Sequence, residues 1–450
     1  MLPLAQIVRG LGGQVSGSDR SRDQGRTGEK FAWLENHGFA LFPQDGSGVT
    51  SAELIVVASA AVEASVPEII RAGQLGCPRM SRAELNSAMF NAATKGIAVA
   101  GTSGKSTVTA MLGWILHVVG TEPTIMNGAV MKNFISAENP FASAQVGSRE
   151  LYLSEVDESD GSIALYRPAV GVLLNVSLDH KSMEELRRLF GDFLQVSRTA
   201  AVNVDDREAS ALALPEITLR FGIENAQADL SIVAGSIEDA ATSISATVID
   251  RRDGSRHPLA ITMPGQHNLS NALAAIAGAN LAGVSVAEAT RALASFAGLA
   301  RRFDVIGTSQ SGVTVIDDFG HNPEKCAATL RALKHHAGRV IAFFQPHGYG
   351  PLRQMGKELA ETFVRELGPD DLTILSDPLY FGGTVERDDG ALQVVKAIGN
   401  AGSRAEHFAT REEAAERITA IARGGDRVVV MGARDDTLTE FARDLLARLP

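Results

Sequence analysis

The run Gly101-Thr-Ser-Gly-Lys-Ser-Thr107 sets two glycines, a lysine and four hydroxyl side chains within seven residues. The apolar run at 97–100 reads as a buried strand, and an apolar segment of helical period follows Lys105. Strand, glycine turn and helix in that order form a cradle for phosphate. Backbone N–H groups and the positive end of the helix face the anion, Lys105 adds a point charge, and the Ser106 hydroxyl can hold Mg²⁺. The spacing departs from the strict G-x-x-x-x-G-K-[ST] pattern, because Val99 stands where its first glycine would be. The competing reading is an ordinary glycine turn with a surface lysine; the flanking strand and helix favour phosphate binding by Gly101, Thr102, Ser103, Gly104, Lys105, Ser106 and Thr107.

Other groups sit where strands should end. Glu155, Asp157, Glu158 and Asp160 fall within six residues, and hard carboxylate oxygens suit Mg²⁺, which needs only one or two of them beside phosphate and water. Read alone, they are equally a solvated acidic loop. His180 ends the next predicted strand, where it can ligate a second metal, position substrate or serve structure. His267, Asn268 and Asn271 open an alanine-rich helix. Their side chains suit hydrogen bonds to a base or ribose, and Asn268 equally suits a helix cap. Arg301-Arg302 is either a phosphate clamp or a linker charge pair. Asp317, Asp318 and His321 end a strand that would face a ligand held between domains.

The elements that must position these groups alternate between strand and helix, which implies parallel sheets. Residues 1–92 read as an α/β unit with helices at 2–11, 31–37 and 67–73 and strands at 14–19, 52–59 and 77–80. It opens on a helix, where a nucleotide-binding unit usually opens on a strand and glycine turn. Residues 93–300 hold the phosphate loop and an antiparallel region between 230 and 249. Residues 301–450 form a second parallel α/β unit. A chain of 450 residues exceeds what one core supports. The net charge of −11, with no basic block, argues against a nucleic-acid or anionic-membrane surface. Phosphates must then be held by local dipoles, a few cations and metal. Two cysteines, Cys77 and Cys326, imply no disulfide framework. The first ten residues lack a signal-peptide pattern, and no window has about 18 uninterrupted apolar residues. A cytoplasmic protein is expected.

Six motifs in order carry a resemblance: Gly101-Thr-Ser-Gly-Lys-Ser-Thr107, Glu155-Val-Asp-Glu-Ser-Asp160, Asn175 to His180, Gly265-Gln-His-Asn-Leu-Ser-Asn271, Arg301-Arg302 and Asp317-Asp-Phe-Gly-His-Asn-Pro323. Together they resemble the Mur ligase family across nearly the whole chain. Gln14 to Asp19, Pro78 to Glu84 and Phe344-Gln-Pro-His347 narrow the likeness to the alanine-adding branch. The resemblance implies an α/β protein of three domains. These are an N-terminal Rossmann-like UDP-sugar domain (1–92), a central P-loop ATPase domain with a mixed sheet (93–300) and a C-terminal Rossmann-like domain (301–450). It implies an ATP-dependent ligase of peptidoglycan synthesis, a monomer or homodimer, joining a UDP-sugar carboxylate to an amine through an acyl phosphate. By carry-over Lys105 meets the β- and γ-phosphates, Ser106 and Glu158 hold one Mg²⁺ and His180 a second. His267, Asn268 and Asn271 meet the nucleoside side, while Arg302 and Asp318 close on the nucleotide. Lys105, Glu158 and His180 are then the catalytic set.

The chain also departs from that family. Alanine-adding members resemble Gln-Pro-His-Arg-Tyr-x-Arg, where this chain has Gln345-Pro-His-Gly-Tyr-Gly-Pro351, so Gly348 and Pro351 replace both arginines. The family's Asp-Asp-Tyr is Asp317-Asp-Phe319 here. Losing two carboxylate-binding cations removes charge-assisted contacts of about 1.5–3 kcal/mol each. An acceptor other than L-alanine is therefore expected. Relatives also begin with a strand and glycine turn ending near Met1, so either translation starts upstream or the UDP site is remodelled. Two rival readings are a superfamily ligase on a folate- or cyanophycin-type substrate, and a non-catalytic nucleotide-binding paralogue. Intact Lys105, Glu158 and His180 weigh against the latter.

Overall fold

The computed structural model describes residues 1–59, 62–178, 181–378, 390–433, 435 and 437–450. Two compact units emerge. One comprises residues 1–238, 245–261 and 266–297, and the other 239–244, 262–265 and 298–450.

The first unit is built on a large sheet with the strand Lys95–Ala100 inside it. Residues 96–100 are fully buried, as a near-continuous apolar run in a parallel sheet must be. Ser148–Glu155 pairs parallel on one side of it and Val170–Leu173 on the other. Beyond these lie Pro123–Met126 and Thr199–Asn203, also parallel. The sheet turns antiparallel where Leu230–Ile232 meets Ser243–Asp250, in the region expected to be so. From Lys95–Ala100 the chain crosses over to Pro123–Met126, and from Ser148–Glu155 it crosses the other way to Val170–Leu173. The crossover direction thus reverses around the central strand, and open α/β sheets bind ligands at the carboxyl edge of such a reversal. Val99 lies opposite Glu155 and Ala100 opposite Leu173, so this register brings the glycine loop and the acidic run to one edge.

The helix Lys105–Val118 follows the loop, with Val108, Met111, Leu112, Ile115 and Leu116 buried. It packs against Gln266–Leu281, where small residues allow close approach. A Cβ on Gly278 would sit 3.0 Å from Val172 Cγ2 and 3.1 Å from Leu112 Cδ2.

The first ninety residues pack into this same unit. Leu4 and Ile7 of the helix Leu2–Gly10 are buried in one core cluster with Phe90, Tyr152 and Tyr166. Their strands differ from expectation. Ser16–Ser18 pairs parallel with Ala40–Phe42, and Val56–Ala58 with Arg79–Ser81. Among the described residues no strand joins the two pairs into one sheet. The run at 52–59 yields only three strand residues because its start turns back, with Leu54 N–H donating to Ser51 O.

Among the described residues the second unit holds a six-stranded sheet in the order Asp304–Thr308, Thr314–Asp318, Arg427–Gly432, Val340–Gln345, Leu372–Ser376, Ala405–Phe408. The first pair is antiparallel and the rest are parallel. Alternate residues divide between two cores. Ile316, Ala342, Phe344 and Met431 face the helices Pro323–Lys334, Tyr349–Glu366 and Gly390–Asn400. Val315, Phe343 and Val430 face Arg411–Ile421 and Leu438–Arg448.

Candidate active site

The loop after the central strand depends on its glycines. Gly104, at φ +87°, is the N-cap of Lys105–Val118, a left-handed conformation that favours glycine. A Cβ there would lie 2.7 Å from Asn271 Oδ1. The backbone is tied to the neighbouring strand end: Ser103 N–H donates to Asn175 Oδ1 (2.9 Å) and Asn175 Nδ2 returns a bond to Ser103 O (3.0 Å). Ser177 N–H donates to Thr102 Oγ1 (3.0 Å). From the other side Asn127 Nδ2 donates to Ser106 O (3.0 Å). Thr107 lies buried within the helix. Asn175 and Asn127 hold the loop, and sequence reading assigned neither a role. A strand-end asparagine was the available signal for Asn175, and nothing local marked Asn127.

The acidic run separates into distinct tasks. Glu158, only 4% exposed, accepts from Lys105 Nζ at 2.7 Å, while the same ammonium donates to Gly101 O at 2.8 Å. Glu155 Oε2 instead accepts from Ser106 Oγ at 2.7 Å. Asp157 and Asp160 accept from the N–H groups of Ser159 and Ser162 and so shape the following turn. Burial works to raise the Asp157 carboxyl, but the Ser159 N–H and the Lys105 charge leave it below its ordinary value. The structure therefore pairs Ser106 with Glu155 rather than with the Glu158 expected beside it. The physical reason is strand register, which sets Glu155 level with Val99. Among the described residues no three His, Cys, Asp or Glu side chains cluster as a metal cage. A hydroxyl and a carboxylate side by side are nonetheless the donors that a phosphate-bound Mg²⁺ takes. His180 lies outside the described residues.

Asn268 falls within the first turn of Gln266–Leu281 rather than at its cap, and it is buried. Asn271 Nδ2 lies 3.4 Å from Asn268 Oδ1, so this pair stands beside Gly104, while His267 is exposed.

In the second unit, Arg302 lies over the Phe319 ring at 4.8 Å and Arg301 at 5.2 Å. Arg301 also donates to Gly432 O and Asp435 O. Asp318 accepts from Phe303 N–H, Gly320 N–H and Thr329 Oγ1 (2.8–2.9 Å), so its carboxylate holds its own turn. His321 packs edge-on against both Phe319 and His347, each at 5.3 Å. Burial lowers its pKa to about 4, keeping the ring neutral near pH 7. Gly348 caps Tyr349–Glu366 at φ +152°, ψ 159°, a region open essentially to glycine alone.

A glycine loop running from a central parallel strand into a helix, with lysine, serine and carboxylates at the carboxyl edge, defines a nucleotide-phosphate-binding α/β protein. Three family profiles cover the chain in succession: Mur ligase family, catalytic domain (1–94), Mur ligase middle domain (99–279) and Mur ligase, glutamate ligase domain (301–434). The UDP-N-acetylmuramate–L-alanine ligase of Agrobacterium fabrum is 33% identical over 100% of this chain and 94% of its own. That of Pelotomaculum thermopropionicum is 31% identical over 96% and 92%. In fold, the chain is similar to the UDP-N-acetylmuramate-alanine ligase of Thermotoga maritima, with TM-score 0.79 and 21% identity over 100% and 96% of the two chains. It is also similar to a murein peptide ligase of Psychrobacter arcticus, at TM-score 0.67, 23% identity and the same coverage. This chain belongs to the Mur ligase family. It is an ATP-dependent ligase that forms a C–N bond between small-molecule substrates. No helix among the described residues is long and apolar enough to cross a membrane.

Proposed function

We propose that this enzyme joins the carboxylate of UDP-N-acetylmuramate, or a close UDP-sugar acid, to an amine other than free L-alanine, acting in the cytoplasm as a monomer or homodimer. The observation that carries the reading is the loop Gly101 to Thr107 with Lys105 against Glu158 and Ser106 against Glu155, in a chain of this family.

A carboxylate is a poor acylating agent, and phosphorylation gives it a leaving group. An oxygen of the acid attacks the γ-phosphorus of ATP, the bond to the bridging oxygen breaks, and ADP departs. The amine then attacks the acyl carbon, loses a proton and expels phosphate. Such chemistry asks the protein chiefly for position and charge neutralisation. Lys105 exchanges Glu158 for the β- and γ-phosphates, and the loop N–H groups face the anion. Ser106 with Glu155 or Glu158 would hold one Mg²⁺ and His180 a second, and the metal when bound neutralises phosphate charge. Asn268 and Asn271 lie on the nucleoside side with His267, and Arg302 and Asp318 serve the nucleotide from the last 150 residues.

Three of the relatives named above are, by name, alanine ligases. Here Phe319, Gly348 and Pro351 stand where a hydroxyl and two cations are expected, and the backbone at Gly348 is one that an arginine would strain. The deciding experiment is phosphate release from ATP with UDP-N-acetylmuramate across a panel of amino acids, peptides and other amines. Turnover with L-alanine at an ordinary family rate would refute the altered acceptor. Tight ATP binding without turnover on any acid and amine would favour the non-catalytic reading.

A further inference from the structure

A cleft beside the phosphate loop is lined by Arg82, Asn86, Lys105, Glu155, Asp157 and Tyr166, among others. Two of these come from the first ninety residues. The capping box of Ser81 and Glu84 starts the helix Arg82–Ala92, and Asn86, four residues on, shares a face with Arg82. Asn86 is 4% exposed and anchors that face. Its Nδ2 donates to Ser154 Oγ (3.1 Å) and Tyr166 OH (2.8 Å), and its Oδ1 accepts from Tyr152 OH (2.8 Å). Ser154 in turn donates to Glu155 O (2.8 Å). The anchor thus fixes the first helical turn against the strand that ends in Glu155. Arg82 is left facing Asp157 and Tyr166, whose ionisation its charge favours. Its guanidinium makes no hydrogen bond or ion pair with any described residue. Lys105 is the other cation of the cleft and is already matched to Glu158.

We propose that Arg82 binds the carboxylate of the acid substrate and stays with it as that group becomes an acyl phosphate. The assignment rests on the loop at 101–107 being the ATP site. An anionic acid must approach a polyanionic triphosphate in a cleft that also holds Glu155 and Asp157, and a delocalised fork of donors suits both carboxylate and phosphoryl oxygens. When the acid oxygen bonds to phosphorus and ADP leaves, the negative charge remains on the transferred group, within reach of the same guanidinium.

The test compares Arg82→Gln and Arg82→Lys with the unaltered enzyme, using UDP-N-acetylmuramate as the varied acid at saturating ATP and the best amine of the panel. Binding of a non-hydrolysable ATP analogue is measured alongside. Arg82→Gln should lower kcat/KM for the acid by about tenfold to a hundredfold, from loss of one charge-assisted contact. Arg82→Lys should recover part of that loss, and ATP-analogue affinity should stay within about twofold in both. An unchanged kcat/KM in Arg82→Gln overturns the assignment, and so does a matching loss of ATP-analogue affinity, which would place Arg82 on the nucleotide. Failure of the ATP-site reading looks different: the unaltered enzyme would not bind the analogue, or Lys105→Ala would bind it equally well.

Discussion

The helix Lys105–Val118 carries a left-handed glycine at each end, and the pair separates a functional loop from a structural cap. Gly104, at φ +87°, precedes it, and Gly120, at φ +81°, follows it. A Cβ on Gly120 meets nothing within 4 Å, whereas one on Gly104 meets Asn271 Oδ1 at 2.7 Å and Leu174 Cδ1 at 3.3 Å. Alanine at either position bears a left-handed backbone penalty of about 1–2 kcal/mol. At Gly120 that is the whole cost, so Gly120→Ala should lose stability by this amount and keep its ATP affinity within about twofold. At Gly104 the loop must also shift away from Asn271, and its N–H groups then miss the phosphates. One misplaced charge-assisted bond is worth about 1.5–3 kcal/mol, so the dissociation constant should rise about tenfold or more. Urea denaturation and titration with a non-hydrolysable ATP analogue read the two quantities separately. Equal ATP affinity in both variants would refute the reasoning, because backbone strain alone would then account for Gly104.

Three other outcomes are expected. Lys105→Ala should abolish ATP-dependent turnover and also destabilise, since it strands the nearly buried Glu158 without its cation; adding Glu158→Gln should restore the urea midpoint but no turnover. Asn86→Ala leaves the hydroxyls of Tyr152 and Tyr166 short of a partner in a buried setting, and a loss of about 2–3 kcal/mol in urea denaturation is expected; a loss under about 0.5 kcal/mol would refute the anchoring role. His321 has a folded pKa of about 4 against an ordinary 6.5. Below pH 6.5 the unfolded chain therefore binds a proton that the folded one refuses, and stability falls as pH drops from 6.5 towards 4. Urea midpoints at pH 7 and pH 5 should differ less in His321→Asn than in the unaltered protein, and an identical difference would exclude the effect.

Much of the site is local and was legible for that reason. Strand, glycine turn, lysine and helix lie within about twenty residues, and their physics is that of one helix end. The acidic run was equally visible, but its division of labour was not. Glu155 and Glu158 are three residues apart in one motif, and only the pairing of Ser148–Glu155 with Lys95–Ala100 turns the first towards Ser106 and the second towards Lys105. The expected single sheet in the first ninety residues became two parallel pairs, because alternation identifies strands without saying which of them share an edge.

The sequence by itself determined the energy source and the class of reaction, through groups contiguous in the chain whose chemistry survives any packing. It also marked the departures at Phe319, Gly348 and Pro351, since a missing cation is visible without coordinates. Tertiary structure alone decided which distant residues share the phosphate loop's surroundings. Asn175 and Asn127 brace its backbone, Asn271 crowds Gly104, and Asn86 anchors the helix that carries Arg82 to the cleft. Those contacts span roughly 20 to 170 residues of chain, and sheet register and helix packing, which single-chain periodicity does not specify, bring them together.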